Sequence, residues 1–168
     1  MANTIAKDPI LNYGQLNKKQ ISQSLDMRKA YLSKQNAFAK TLTTGEWVSV
    51  YRDINVFDGD KVTNYEKTEG NNYKFSKSSS PTQLDAVNSY VVDGDSTVYT
   101  VNWCAQLDPY TNKFYLHDPK TPTREAVGMY DSSTDSIMLS INGPSGPAAQ
   151  PFATPAWGFT TNYYMHVV

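Results

Sequence analysis

The sequence predicts a mainly β fold, an antiparallel β-sandwich of jelly-roll-like type or a small barrel, preceded by an N-terminal arm and one amphipathic α-helix. From residue 46 onward, apolar side chains recur every second residue in roughly eight or nine short segments separated by turn signals. Twelve Tyr, six Phe and three Trp supply rings that suit a pleated surface. The 168 residues fit one packed unit, with the arm and helix over 1–45 and the all-β part over 46–168.

The helix is predicted over residues 15–42, because apolar residues recur there at close to 3.6-residue spacing. Arg28 and Gln35 interrupt this apolar stripe and make it narrow, so the helix is expected to lie on another surface rather than inside a bundle. Pro9 and Gly14 break regular structure before it, which makes residues 1–14 an arm. The stripe consists of Ile21, Leu25, Leu32, Phe38 or Ala39, and Leu42.

The strands are predicted from a two-residue period and from the turn residues between them. Asp58-Gly59 and Asp93-Gly94 are hairpin signals, and residues 142–157 are predicted to be one long loop. In the first strand, Trp47–Phe57, the apolar row is Val48, Val50, Ile54 and Val56. The other predicted strands are 61–68, 73–76, 86–92, 95–104, 113–117, 124–130, 135–141 and 158–168.

Arg52 falls within the apolar row of the first strand. If the strand is regular, the guanidinium points inward, where it requires a carboxylate or an anionic ligand to offset its loss of hydration. A β-bulge that turns Arg52 outward is the alternative. Arg52 is therefore a candidate ligand-binding residue whose orientation the sequence leaves open.

The aromatic residues have two interpretations. Their rings could form a face that binds a carbohydrate or another small ligand, since aromatic rings stack on the C–H surfaces of sugars. They could equally be core and interface anchors, as in many β proteins. With Arg52, the predicted ligand-binding residues are Trp103, Tyr115, Tyr130 and Tyr164.

No motif in the sequence carries a specific catalytic chemistry. The single cysteine, Cys104, excludes an intrachain disulfide, and His117 and His166 make too thin a ligand set for a metal site. A nucleophile elbow, a phosphate-binding glycine loop and a dinucleotide fingerprint are all missing. We therefore expect no catalytic residue, no metal and no cofactor, and a non-enzymatic role is favoured. A small barrel enzyme using Arg52 and an inward carboxylate stays open as a third function.

The charge is divided unevenly along the chain. Residues 1–45 hold seven Lys/Arg against two Asp, a net charge of +5, and the remainder carries −6. A basic segment joined to an acidic body suggests a partner, and the favoured function is a structural subunit that self-associates. The ligand-binding module is the alternative. The predicted interface residues are Lys18, Lys19, Ile21, Leu25, Arg28, Lys29 and Leu32.

Nucleic acid and membrane partners are not expected. The basic residues of the helix are not interleaved with aromatic rings, and no apolar run approaches the roughly 20 residues of a membrane span. The first ten residues lack the apolar core of a secretory signal, which predicts synthesis in the cytoplasm.

Overall fold

The computed structural model describes residues 17–58, 61–67, 71–91, 96–121, 124–144 and 157–168. The predicted arm, the tips of both Asp-Gly hairpins and most of the predicted loop 142–157 lie outside these residues. The elements in chain order are helix α1 (Lys18–Thr43) and strands β1 (Glu46–Asp58), β2 (Lys61–Lys67), β3 (Asn71–Lys77), β4 (Gln83–Val91), β5 (Val98–Asp108), β6 (Lys113–His117), β7 (Glu125–Asp131), β8 (Ser136–Pro144) and β9 (Trp157–Val167).

The strands form a closed antiparallel barrel. Each strand from β3 to β8 pairs with the next one, and β1 closes the ring by pairing with β9 on one edge and with β3 on the other. β2 pairs with the second half of β1 on the same edge as β3, so β2 and β3 together fill one of eight strand positions. The predicted small barrel is confirmed, and the sandwich and jelly-roll alternatives are not.

Local signals set both ends of α1, which begins three residues later than predicted. Asn17 and Gln20 form a capping box, in which each side chain accepts a hydrogen bond of 2.9 Å from the other residue's backbone N–H. Gly45 follows the helix at φ 75°, and a Cβ there would lie 2.1 Å from the carbonyl oxygen of Val167. Only glycine fits this joint between α1, β1 and β9.

The second half of α1 packs on one end of its own barrel. Phe38 and Leu42 are buried in the core, and the Gln35 amide donates to the carbonyl of Pro81 in the β3–β4 connection at 3.3 Å. Tyr31 contacts Tyr110 in the β5–β6 turn, with 5.7 Å between ring centroids. Residues 17–30 are exposed along their whole length and extend beyond the barrel. No described helix is long and apolar enough to span a membrane.

A β-bulge in β1 corrects the predicted apolar row. The register between β1 and β9 shifts between Ser49 and Tyr51, so the residues that face the interior change from odd to even numbers there. Trp47 and Ser49 are buried, whereas Val50, predicted to share a face with Arg52, is 42% exposed. The sequence left the orientation of Arg52 open, with an outward-turning bulge as one alternative; the strand does contain a bulge, but Arg52 is buried inside the barrel.

Large aromatic side chains fill the half of the barrel next to α1. Trp47, Phe75 and Phe114 pack there with Ile137 and Leu139 beneath the rings of Tyr73 and Tyr164. Together these seven side chains leave no room for a water molecule between them. Gly128 gives space to the Phe114 ring, since a Cβ at Gly128 would come within 2.0 Å of that ring. This half of the barrel is a packed core and forms a floor beneath the other half.

Candidate ligand-binding site inside the barrel

A layer of buried polar side chains lies above the aromatic floor. They come from four neighbouring strand positions, because β1 pairs with both β3 and β9 and because β3 pairs with β4. Each is the inward-facing residue at its position and is at most 9% exposed. The layer consists of Ser49, Arg52, Asn71, Tyr73, Asn88, Asn162 and Tyr164.

Arg52 is held by its cross-strand neighbour. It lies directly opposite Asn162 in the β1–β9 register, and its Nε donates to the Asn162 side-chain oxygen at 3.0 Å. Asn162 is fully buried, and Arg52 is 9% exposed. The guanidinium is therefore fixed inside the barrel, where its charge acts through a medium of low dielectric constant.

Two tyrosines face each other beside Arg52. The rings of Tyr73 and Tyr164 meet edge to face, with 5.3 Å between their centroids. Burial raises the pKa of Tyr73 far above its usual value, and the charges of Arg52 and Arg124 lower that pKa in part. Burial and the nearby Tyr73 likewise raise the pKa of Tyr164. Both phenols are consequently neutral and able to donate a hydrogen bond at physiological pH.

Several buried groups in this region lack a hydrogen-bond partner among the described residues. They are the hydroxyls of Ser49, Tyr73 and Tyr164, the Asn162 side-chain nitrogen and the Trp103 indole nitrogen. Asn162 lies close enough to Tyr164 to lower its pKa slightly, although the two groups do not meet hydrogen-bond geometry. An unpartnered buried polar group costs about 1–3 kcal/mol, so such a concentration needs an explanation.

Within the layer, Asn71 and Asn88 differ from these groups because their side chains hydrogen-bond to each other. The Asn88 side-chain nitrogen donates to the Asn71 side-chain oxygen and, at 3.1 Å, to the carbonyl of Asn72. This contact joins β3 to β4 beside Tyr73, which lies opposite Asn88 in the register. The two asparagines thus form one wall of the layer and hold the strand that carries Tyr73.

The mouth, defined as the barrel end opposite α1, carries an ion pair. Asp118 follows β6 and is buried, and Arg124 precedes β7 with its Nη1 3.9 Å from the Asp118 carboxylate. Arg124 contributes to lowering the pKa of Tyr73, so both guanidinium groups influence the same phenol. Because the floor is filled, the mouth is the direction from which a small molecule would reach the polar layer.

The structure separates the five residues predicted to bind a ligand. Arg52, Trp103 and Tyr164 are buried inside the barrel, whereas Tyr115 lies on the outer surface and is 45% exposed. Tyr130 lies at the helix end, 5.9 Å from Trp47 between ring centroids, and its hydroxyl donates to Asp135. The predicted aromatic face is therefore not a single surface, and a binding role for these residues stays a prediction.

Sequence reasoning missed Ser49, Tyr73 and Asn162 as members of the site. Their inward orientation depends on the bulge in β1 and on the β1–β9 register, which no local pattern specifies. The position of Arg52 in an apolar strand was the one available signal, and the partners of this arginine could not be inferred from it.

The predicted interface residues all lie on the exposed part of α1. Lys18, Lys19, Ile21, Leu25, Arg28, Lys29 and Leu32 contact no strand closely enough to be buried. The packing of α1 on its own barrel lends no support to self-association, which stays a prediction.

The histidines and the cysteine do not form a metal centre. Within the described ranges, no group of three or more His, Cys, Asp or Glu side chains is arranged to hold a metal ion. His117 is exposed on the outer surface. His166 stacks on Trp47, with 4.2 Å between ring centroids, and its Nδ1 lies 3.0 Å from a carboxylate oxygen of Asp135. His166 thus joins β9 to the β7–β8 turn.

Comparison with known proteins gives a limited result. No protein-family model matches the chain, and a search of curated proteins finds no relative by sequence. Among solved structures, lobster apocrustacyanin A1 aligns with a TM-score of 0.44 and 8% identity, over 82% of this chain and 67% of that one. Apocrustacyanin C1 gives the same values. Likeness at this level carries no argument about function.

Proposed function

We propose that this protein binds a small molecule inside its barrel, at the polar layer between the aromatic floor and the mouth. The observation that carries the proposal is the set of buried polar groups inside the barrel, on β1, β3, β5 and β9, that have no hydrogen-bond partner among the described residues. Binding pockets in proteins typically combine apolar walls with a few convergent polar groups, which is the composition found here. A ligand that satisfies these groups would recover the free energy lost by burying them.

The chemistry of these groups indicates the kind of ligand. The indole N–H of Trp103 and the amide nitrogen of Asn162 can only donate hydrogen bonds, and the neutral phenols of Tyr73 and Tyr164 can also donate. The nearby guanidinium of Arg52 adds positive charge. A donor-rich layer flanked by aromatic rings favours a small apolar or aromatic molecule that carries a carbonyl or carboxylate acceptor.

The test compares two probes that differ in the acceptor alone, 1-naphthoate and 1-methylnaphthalene. Binding to the purified protein is followed by the change in tryptophan fluorescence and by calorimetry. We expect naphthoate to bind at one saturable site per chain. The hydrocarbon should bind at least about tenfold more weakly, a difference of about 1.4 kcal/mol.

The double variant Tyr73→Phe with Tyr164→Phe removes two donors and keeps both rings. It should weaken naphthoate binding by about tenfold, since each lost hydrogen bond is worth about 0.5–1.5 kcal/mol. Tyr110→Phe, in the exposed β5–β6 turn, is the matched control and should bind as the wild type does. Equal affinity for the two probes, or unchanged binding by the double variant, would refute the proposal.

Self-association through the exposed half of α1 is a second candidate function. The observation that favours it is the exposure of Ile21, Leu25 and Leu32 on a helix that extends past the barrel. Sedimentation velocity at low and high salt should then show an oligomer that the double variant Ile21→Ser with Leu25→Ser dissociates. A monomer at every protein and salt concentration would exclude this function.

A further inference from the structure

A second concave site lies on the outer wall of the barrel, away from the polar layer. It is a groove of about 430 Å³ across β4, β5, β6 and β7. Ligand pockets commonly have about 300–1,000 Å³. The inward residues behind it, Leu116 and Ala126, belong to the packed core, so the groove does not communicate with the interior through them.

The strand register places the side chains of the groove in two adjacent rows. In one row Gln83 lies opposite Gln106, which lies opposite Tyr115, followed by Val127. Residues directly opposite each other have Cβ atoms about 4.5–5.5 Å apart, so each row is continuous. The other row is Cys104, His117 and Glu125.

The polar groups of the groove are not used within the protein. Among the described residues, the side chains of Gln83, Gln106, His117 and Glu125 make no hydrogen bond or ion pair, and neither does the Tyr115 hydroxyl. Strands β4 to β7 therefore present two amides, an imidazole, a carboxylate and one half-exposed aromatic ring in a single depression.

We infer that this groove binds a neutral sugar ring. The Tyr115 ring offers an apolar face for the C–H surface of a pyranose. The two amides can donate hydrogen bonds to sugar hydroxyls and accept hydrogen bonds from them, and the Glu125 carboxylate can accept hydrogen bonds from them. Glu125 is the only formally charged side chain that lines the groove at neutral pH, which disfavours an anionic ligand.

Cys104 supplies a reporter inside the groove. It is the only cysteine of the chain, it is partly exposed, and it lies directly opposite His117. A sugar bound across the two rows would cover the thiol. The rate of Cys104 modification by Ellman's reagent therefore measures occupancy without any labelling site having to be introduced.

The test measures this rate while glucose, galactose, mannose and N-acetylglucosamine are each titrated well beyond about 1 mM, a dissociation constant that corresponds to about −4.1 kcal/mol. We expect at least one sugar to slow the modification at least about fivefold in a saturable manner. Tyr115→Ala and Gln106→Ala should abolish the protection. Tyr163→Ala, which removes an exposed ring from the outer face of β9, should retain it.

Protection by none of the sugars overturns the inference, and so does equal protection in Tyr115→Ala. Protection by an organic amine such as cyclohexylamine, in place of the sugars, would instead assign the groove to a cation and would also overturn it. This site does not depend on the proposed interior ligand. The double variant Tyr73→Phe with Tyr164→Phe should keep full sugar protection, so the failure of one proposal is distinguishable from the failure of the other.

Discussion

At the scale of single residues, the polar layer contains buried groups that lower the stability of a core that is otherwise well packed. Tyr73 and Tyr164 each bury a phenol without giving its hydroxyl a partner among the described residues. A phenylalanine would fill the same space without that cost. Residues that lower stability without improving the packing are commonly kept for function. Substitutions at Tyr73 and Tyr164 are therefore suited to distinguish an effect on folding from an effect on ligand binding.

The first prediction at this scale concerns alkaline pH and Tyr73. Its pKa in the folded state is raised above the value of about 10 expected for an unfolded chain. Ionisation of this phenol therefore leaves the free energy of unfolding unchanged below about pH 10. The free energy of unfolding falls as the pH rises above that value, because the unfolded chain ionises more readily than the folded one. Tyr73→Phe should leave the free energy of unfolding unchanged or slightly higher at pH 7 and should flatten its decline above pH 10.

Urea denaturation from pH 7 to pH 11 measures this effect in the absence of any ligand. Tyr110→Phe serves as the control, since Tyr110 is 58% exposed. The same alkaline slope for wild type and Tyr73→Phe would show that burial of this phenol has no energetic consequence for folding.

At the scale of elements, α1 has two halves with different roles. The second half supplies Phe38 and Leu42 to the core, and the Trp47 indole fixes its end by donating to the carbonyl of Leu42 at 3.1 Å. The first half is exposed throughout. The 3.6-residue stripe, with its interruptions at Arg28 and Gln35, extends through both halves, so periodicity alone could not reveal where the contact with the barrel stops.

The second prediction follows from this division. Leu42→Ala should lower the free energy of unfolding by about 2–5 kcal/mol, because it leaves a cavity at a fully buried site. Leu25→Ala, the same substitution on the exposed half of the same helix, should change it by less than about 0.5 kcal/mol. Thermal and urea denaturation of both variants measure these changes in the free energy of unfolding. Comparable decreases in the two variants would mean that the exposed half of α1 is also packed in solution.

Strand β1 shows what the sequence could and could not reveal about an element. Its extent and its hairpin with β2 were predictable from the two-residue period and from Asp58-Gly59. A bulge was one alternative for this strand, but its position at Ser49–Tyr51 was not predictable, because an extra residue leaves no distinctive residue type behind. The orientation of Arg52, and with it the whole polar layer, depends on that one irregularity.

At the scale of the whole molecule, the alternating strands predicted β architecture but not closure. A sandwich and a barrel use the same local pattern, and they differ in whether the first and last strands pair. That choice depends on contacts such as Glu46 with Val167, which are far apart in the sequence. The charge asymmetry was readable from composition alone, and the folded chain places its basic exposed segment outside the barrel.

The pairing of β1 with β9 also has a consequence for the order of folding. Among the described strands, every other pair joins neighbours along the chain, except that β1 pairs with β3 past the short strand β2. The β1–β9 pair alone closes a loop of more than one hundred residues. Closing so long a loop is entropically costly and slows folding relative to local hairpin formation. During synthesis, β1 must therefore wait with one edge open until β9 has left the ribosome, and the barrel interior can form only then.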